Sequence, residues 1–443
     1  MTAPLTSGYR QAVLWQEQVA ASEPGGSDAP DGPPAPLPAS VDVVVVGGGY
    51  AGLSAARELA SAGRSVLVLD AGPLGSGAST RNGGMVIPEL KAGPSTLEKH
   101  YGPLGRRLYA DVNAAFDHVE SLVTGPEAPI ACDYERTGQL YLAHHPRVVP
   151  GMRAAEREHA GELGEPVHFV SREELPSEVG TTAYHGGLVY GRTGGLHPAR
   201  FHAGLARLAR EGGATIVDRT RATAIERPPG RAGVRVTTGG GTVDAGDLVV
   251  ATNAHADGLV PPLARRVLPV GSFIVATEVL DPELAASVNP KRRMLVDSKN
   301  FLYYWRPSPD GRLLFGGRRS LAPSTIEQAR DFLHAAMVAV HPQLAGVRID
   351  RAWGGEVAIT LDRLPHAGRV DGTWYASGCN GSGIAQLTWL GAQVGRHVAG
   401  EGPPPSFAEL RHRPIPAHGL RRAYLPAVGL WFRWQDRGFR PAG

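Results

Sequence analysis

An α/β protein, with a mostly parallel sheet split along the chain and an antiparallel-sheet α+β domain inserted into it, is the fold class this sequence predicts. Three observations predict it. A β-branched run at 41–46 passes through a glycine cluster into an amphipathic helix and a second apolar run at 65–70, which together make a βαβ unit. A similar run, 373–376, enters another glycine cluster and a helix, 384–398, near the other end of the chain. Between them, segments 270–279, 300–306 and 312–316 alternate as the strands of an antiparallel sheet do. Parallel pieces at both ends with antiparallel strands between them imply a discontinuous domain and an insertion.

Composition narrows the function classes. At 443 residues the chain exceeds what one hydrophobic core organises, so two lobes are expected. Hydrophobic residues make up 42% and charged residues 20%, as in ordinary globular proteins. The formal charge of +3 is nearly balanced, and no basic stripe interleaves with aromatics, which argues against nucleic acid as a partner. Cys132 and Cys379 are the only cysteines; they supply neither a disulfide framework nor a zinc site, so no metal is read and a cytoplasmic location is expected. The opening MTAPLTSGYRQAVLWQEQVA lacks a charged segment followed by an apolar one, so no signal peptide is read. The longest apolar run, 41–46, is far short of the roughly 20 residues of a spanning helix, and no membrane insertion is expected. Nothing in the sequence fixes an oligomeric state.

The elements follow in order. Residues 1–40 read as an arm containing Trp15 and a tether, PGGSDAPDGPPAPLPA at 24–39, which supports neither helix nor ladder. After the first strand, Leu53, Ala56, Leu59 and Ala60 share one helix face, and Gly63 ends that helix. Leu104, Leu108, Val112, Phe116, Val119 and Leu122 mark a long amphipathic helix. Ser171 with Glu174, and Ser324 with Glu327, have capping-box spacing and predict two helix starts. A strand at 138–143, a helix over 202–210, a strand at 215–217, a hairpin pairing 234–238 with 242–244, and a strand at 247–252 complete the first half. The turn at 307–311, PSPDG, joins the last antiparallel pair. The expected domains are a cofactor domain (41–98, 187–262 and 345–405), an inserted domain (99–186 and 263–344) and a C-terminal extension (406–443).

Gly47, Gly49 and Gly52 form G-x-G-x-x-G between a buried strand and a helix, the context the motif requires. The first glycine permits a tight turn, the second lets backbone approach a pyrophosphate, and the third brings helix and strand together. The helix start, with Tyr50 and Ala51, offers N–H donors and partial positive charge to phosphates. Asp70 with Ala71 closes the second strand, where an acidic side chain accepts hydrogen bonds from an adenosine ribose. A nicotinamide-binding domain would proceed to a third strand; here GPLGSGASTRNGGMV, 72–86, is a small-residue loop able to lie against a large planar ring. A flavin dinucleotide is therefore expected.

With these pieces in place, the chain resembles the D-amino-acid-oxidase-like (DAO) superfamily of FAD-dependent oxidoreductases, and within it the γ-glutamylputrescine oxidase group. VVGGGYAGLS, the G-x-GAS-x-RNGG loop at 75–84, GGLHPARF at 194–201, RLLFGG at 312–317, the segment 348–370 and GCNGSG at 378–383 carry the resemblance, in that order. It implies an FAD-binding Rossmann-like domain of the glutathione-reductase type, a sheet-based substrate domain, and oxidation of a C–N bond. It places Ser79, Thr80, Arg81, Asn82, Gly83 and Gly84 at the isoalloxazine, with Gly378, Asn380, Gly381, Ser382 and Gly383 capping the pyrimidine end. No cysteine lies in 348–370, and Arg81 stands where a linking histidine is expected, so the FAD is expected to be non-covalent.

The implied reaction is hydride transfer from the α C–H of an amine to flavin N5, giving an imine and then an aldehyde, with O2 reduced to hydrogen peroxide. A γ-glutamylated polyamine or another primary or secondary amine is the expected substrate. The alternatives are an amino-acid oxidase, an N-demethylase or dehydrogenase of the same superfamily, and a non-catalytic flavoprotein. Alternation in NFLYYWRP puts Phe301, Tyr303 and Trp305 on one face and Leu302, Tyr304 and Arg306 on the other. Tyr303, Trp305 and Trp353 are candidates for the substrate wall, and His366 for the flavin edge; each also reads as core. His197, before Pro198, reads as a helix cap, and Cys379 as a small buried filler.

Overall fold

The βαβ unit forms because its first strand, Ser40–Val46, is apolar on both sides. In the computed structural model, which describes residues 2–22, 36–126, 128–230, 232–256 and 258–437, Val43 and Val45 face one core with Leu53, Ala56 and Leu59. Val44 and Val46 face another with Val234, Val236 and Val243. An unbroken β-branched run is what a strand covered on both faces requires. Residues 24–35 of the expected tether lie outside the described residues.

Around this strand a parallel sheet is built. Ser40–Val46 pairs with Val66–Leu69 on one side and with Gly241–Val250 on the other. Thr215–Val217 extends the sheet beyond Val66–Leu69, and Thr373–Ser377 adds in parallel to Val249 and Val250. The first half of Gly241–Val250 instead pairs with Val234–Thr238, which pairs with Ala222–Glu226.

Two helices, Tyr50–Ser61 and Gly383–Ala399, cross this sheet in close contact. A Cβ on Gly391 would stand 2.1 Å from the Ala51 carbonyl oxygen, and one on Gly395 would stand 2.6 Å from that of Ala55. Both pairs advance by four residues in the same sense, so the helices run parallel. Gly391 lies eight residues past Gly383, whereas Ala51 lies one past Tyr50. The second helix therefore begins seven residues, about 10 Å, ahead of the first.

The second sheet has nine strands, with Leu268–Val279 between Ile349–Ile359 and Arg312–Gly317. It is mixed rather than antiparallel throughout. Leu5–Arg10 pairs in parallel with Ile349–Ile359, and Met294–Asp297 in parallel with Gln139–Leu142. One face packs Trp305, Phe315, Leu295 and Tyr184 against Leu333 and Met337 of the helix Ile326–Val340.

Several expectations are corrected. The strand expected at 300–306 is Tyr304–Pro307, because Asp297 Oδ1 accepts from the Lys299 and Tyr303 N–H groups and folds the intervening residues into a turn. The capping box of Ile326–Val340 is Thr325 with Gln328, one residue past the expected pair. Ser171 and Glu174 start only a short 3-10 turn, Leu175–Ser177. Gly187–Tyr190 and Ile349–Ile359, assigned from sequence to the cofactor domain, are strands of the nine-stranded sheet. Short apolar runs carry no mark of which sheet they join.

The arm folds back on the body. After Leu5–Arg10, the helix Leu14–Ser22 buries Trp15 among Ile274, Leu314 and Trp353. Among the described residues no helix is long and apolar enough to cross a membrane.

Candidate active site

The first glycine turn is held by its neighbours. Gly47 has φ +110, and a Cβ there would meet the Ala251 carbonyl oxygen at 2.8 Å. A Cβ on Gly52 would lie 1.8 Å from the Gly47 carbonyl oxygen, so helix and turn approach as only glycine allows. Gly49 caps the helix in extended conformation without a side-chain acceptor. Asp70 accepts from the Gly48 N–H at 2.8 Å and from the Gly72 N–H at 3.0 Å, clamping the turn to the end of the second strand, with Ala71 exposed beside it.

The 75–84 loop runs from there across the helix start. Ser79 Oγ accepts from the Tyr50 N–H at 3.1 Å, and the Tyr50 hydroxyl donates to the Ser79 carbonyl. Burial pushes the Tyr50 phenol well above its usual pKa, which keeps that donor protonated. Thr80 is tied by its hydroxyl to the Gly75 carbonyl. Asn82 accepts from the Gly84 N–H at 2.9 Å, and Gly84 has φ +71. Two buried indoles hold consecutive carbonyls: Trp353 Nε1 donates to Arg81 at 2.8 Å, and Trp15 Nε1 donates to Asn82 at 3.0 Å. Gln16 Nε2 donates to the Gly75 carbonyl at 2.9 Å and to Thr80 Oγ1 at 2.7 Å. Arg81 itself donates to the Ser76 and Gly354 carbonyls.

The second glycine loop faces it. Gly378 has φ +84 and donates its N–H to Asn253 Oδ1 at 3.0 Å. Asn380, also at positive φ, accepts from the Thr360 N–H at 3.0 Å. Gly381 has φ +97, and Ser382 begins the Gly383–Ala399 helix without a side-chain cap. The first N–H groups of that helix are thus left to whatever lies in front of them.

Between the two loops lies a groove of about 210 Å³. Tyr50, Ser79, Arg81, Asn82 and Gly83 form one wall, and Cys379, Asn380, Gly381, Ser382 and Gly383 another. The nine-stranded sheet closes it with Ser272, Ile274, Val296, Leu302, Tyr304, Arg318 and Val357, and Glu89 and Glu356 also line it. Tyr304 and Ser272 share a hydrogen bond of 3.2 Å. Burial pulls the Arg318 guanidinium below its usual pKa, and Arg318 has no ion pair among the described residues.

Of the cofactor residues named from sequence, Tyr50, Ser79, Arg81, Asn82, Gly83, Asn380, Gly381, Ser382 and Gly383 line the groove, while Gly47, Gly49, Ala51, Gly52, Asp70, Ala71, Thr80, Gly84 and Gly378 do not. The four candidate reaction residues are not brought to it. Trp305 stacks on Phe315 at 5.5 Å and on Tyr184 at 6.0 Å, within the sheet's far core. Tyr303 packs against the same core, with its ring under the Lys299 ammonium. Alternation separates the faces correctly, but Leu302 and Tyr304 are on the groove side. Trp353 lies beneath the 75–84 loop as its support. His366 is fully buried, bonded to Asp362 at 3.0 Å and stacked at 4.0 Å on His412, whose pKa burial lowers to about 3. His197 caps its helix by accepting from the Arg200 N–H, and Cys379 is buried and receives the Asn253 amide. Sequence reasoning missed Tyr304, Arg318, Glu89, Glu356 and Trp15. Parity offered Tyr304, while the others needed long-range packing.

Comparison with known proteins bears on this architecture. The family model described as DAO, FAD dependent oxidoreductase, matches residues 42–396. The chain is 32% identical over 446 residues to a probable oxidoreductase OrdL of Rhizobium meliloti, covering 98% of this chain and 99% of that protein. It is 30% identical over 405 residues to the γ-glutamylputrescine oxidoreductase of Escherichia coli, covering 89% and 93%. The crystal structure of glycine oxidase from Geobacillus kaustophilus shares the fold, with a TM-score of 0.70 at 23% identity over 85% of this chain and all of that one. On the strength of a match spanning most of its length, the chain belongs to the DAO family of FAD-dependent oxidoreductases.

Proposed function

We propose that the protein is an FAD-dependent amine oxidase whose flavin ring occupies the groove between the 75–84 and 378–383 loops. The observation that carries this reading is the pair of helix starts whose N-cap residues, Gly49 and Ser382, supply no side-chain cap, staggered by about 10 Å along parallel axes, with Tyr50 and Gly383 both lining one groove. The first suits a pyrophosphate, with Asp70 near the adenosine end; the second suits the electron-rich pyrimidine edge of a reduced flavin. FAD supplies an N5 that accepts the hydride of an amine α C–H; the imine hydrolyses to an aldehyde and ammonia, and O2 becomes hydrogen peroxide. Neither cysteine lies in the 348–370 segment and Arg81 replaces a linking histidine, so the FAD is bound without a covalent bond. Asn253, Thr360, Trp15 and Trp353 fix the loops that receive the ring. Tyr304, Leu302, Ile274 and Val357 form an apolar wall for an alkyl chain. The Arg318 cation repels an ammonium and thereby favours the neutral amine, the form able to give up hydride. The E. coli relative named for γ-glutamylputrescine supports a γ-glutamylated polyamine or similar amine as substrate. The paucity of cysteine fits an enzyme of a reducing compartment such as the cytoplasm.

A second reading is favoured by the same Arg318: an arginine with no ion pair among the described residues is free to clamp the carboxylate of an amino acid. Anaerobic mixing of the yellow protein with γ-glutamyl amines, polyamines and amino acids, followed by air, separates the readings. Bleaching by amines and recolouring with peroxide release is expected. Bleaching only by amino acids favours the second reading, and no bleaching by either defeats both.

A further inference from the structure

A second cavity, of about 270 Å³, adjoins the groove, and Ile87, Glu89 and Lys91 line both. Its far wall is built from Tyr109, Tyr141 and Tyr190 together with Glu158 and Glu165. Glu165 accepts from the Tyr109 hydroxyl at 2.5 Å and contacts His159 Nδ1 at 2.6 Å. Burial would raise the Glu165 pKa, but the hydrogen bonds from His159 and Tyr109, with the charges of His159 and Arg192, outweigh it and lower it, so the carboxylate stays ionised. Glu158 accepts from the Ser95 N–H at 2.6 Å and has no cationic partner among the described residues. Of the two lining cations, Lys91 is paired with Glu89 at 2.9 Å, and Arg192 turns to Asp117, which is not part of the lining, at 2.6 Å. Phenol rings beside ionised carboxylates in a half-enclosed space are a receptor for an alkylammonium group.

We propose that this cavity is a distal subsite that takes a second, cationic nitrogen of the substrate while the reacting amine lies in the groove. It selects α,ω-diamines, polyamines and chains ending in an amino-acid ammonium over simple alkylamines. The inference rests on the amine-oxidation reading and narrows its substrate class. It also divides the work: Arg318 keeps the reacting nitrogen neutral at one end, and carboxylates hold the charged nitrogen at the other.

The test compares cadaverine with n-pentylamine, which differ by one terminal nitrogen, in anaerobic flavin reduction by the holoenzyme. Half-saturation is expected about ten-fold lower for cadaverine, the worth of one desolvated cation–aromatic and carboxylate contact. Glu165→Gln, which keeps volume and an acceptor, and Glu89→Gln on the shared wall are each expected to shrink that ratio to about two-fold. Equal half-saturation in the wild type, or a ratio unchanged in both variants, overturns the proposal. Calorimetry with pentyltrimethylammonium, which has no free amine to oxidise, probes the cavity without turnover. Saturable binding weakened by Glu165→Gln supports the subsite even where no amine bleaches the flavin, an outcome that sinks only the oxidation reading; absence of saturable binding overturns the subsite.

Discussion

Replacing Trp15 with phenylalanine removes one N–H from the 75–84 loop while leaving an aromatic ring in the same cleft. The indole is fully buried, donates to the Asn82 carbonyl at 3.0 Å, meets the edge of His197 at 4.8 Å and lies under the Arg306 guanidinium at 5.5 Å. Phenylalanine keeps most of the packing and leaves the carbonyl without its donor, which costs about 1–2 kcal/mol. If the loop holds its flavin-ready shape because two indoles fix Arg81 and Asn82, that cost falls on the FAD complex, and FAD affinity drops about 5–30-fold. The assay is titration of apoprotein with FAD, followed by flavin fluorescence. Trp353→Phe removes the neighbouring donor, and the double variant is expected to lose less than the sum of the two single losses, because the first loss already frees the loop. Affinity within two-fold of wild type in Trp15→Phe, with the two losses additive, would refute the idea that the arm positions the loop.

Other outcomes follow from the same geometry. Gly52→Ala places a methyl 1.8 Å from the Gly47 carbonyl oxygen, so the purified variant is expected to be colourless; copurification of FAD would contradict this. Gly391→Ala drives the two helices apart, with an expected loss of about 2–4 kcal/mol in urea unfolding against no change if the contact is slack. His197 and His341 are held by burial at a pKa of about 4 and His412 at about 3, against 6.5 when unfolded. The unfolded chain therefore binds more protons below 6.5, and stability is intact above that pH and lost as pH falls toward the folded values. Each histidine contributes about 1.4 kcal/mol per pH unit in that window, so the urea midpoint should fall steadily on acidification; a flat midpoint would count against neutral burial. Arg318→Gln removes the like charge near the reacting nitrogen, and the acidic limb of the kcat profile for amines, which reports the bound amine, is expected to move to higher pH. A rise in KM of about 100-fold for amino acids, with the amine profile unmoved, would instead assign Arg318 to a carboxylate.

The parts of the site legible in the sequence are those whose chemistry is local. The turn at Gly47–Gly52 and the loop at 378–383 each join a strand to a helix within a few residues, and glycine is required there by the local backbone, through positive φ at Gly47, Gly378 and Gly381 and the approach of Gly52 to the Gly47 carbonyl. Three strands of the nine-stranded sheet, Leu268–Val279, Tyr304–Pro307 and Arg312–Gly317, were legible as alternation, but alternation fixes only which residues share a face. Whether Tyr303 with Trp305 or Leu302 with Tyr304 meets the groove is decided by the helix Ile326–Val340 covering the other side. Trp15 was unreadable for a different reason: its partner Asn82 is 67 positions away, and the arm joins the sheet through Ile349–Ile359, farther still. Arg318 follows directly on a strand read from sequence, yet its partial burial without an ion pair among the described residues exists only once the chain has folded.

A crystal structure of the FAD-bound protein tests the central claim most directly. The account predicts the adenosine ribose at Asp70, the pyrophosphate at the start of the Tyr50–Ser61 helix, and the ring between Ser79–Asn82 and Asn380–Ser382. A ring found outside that groove, or a covalent bond from flavin to protein, would contradict it.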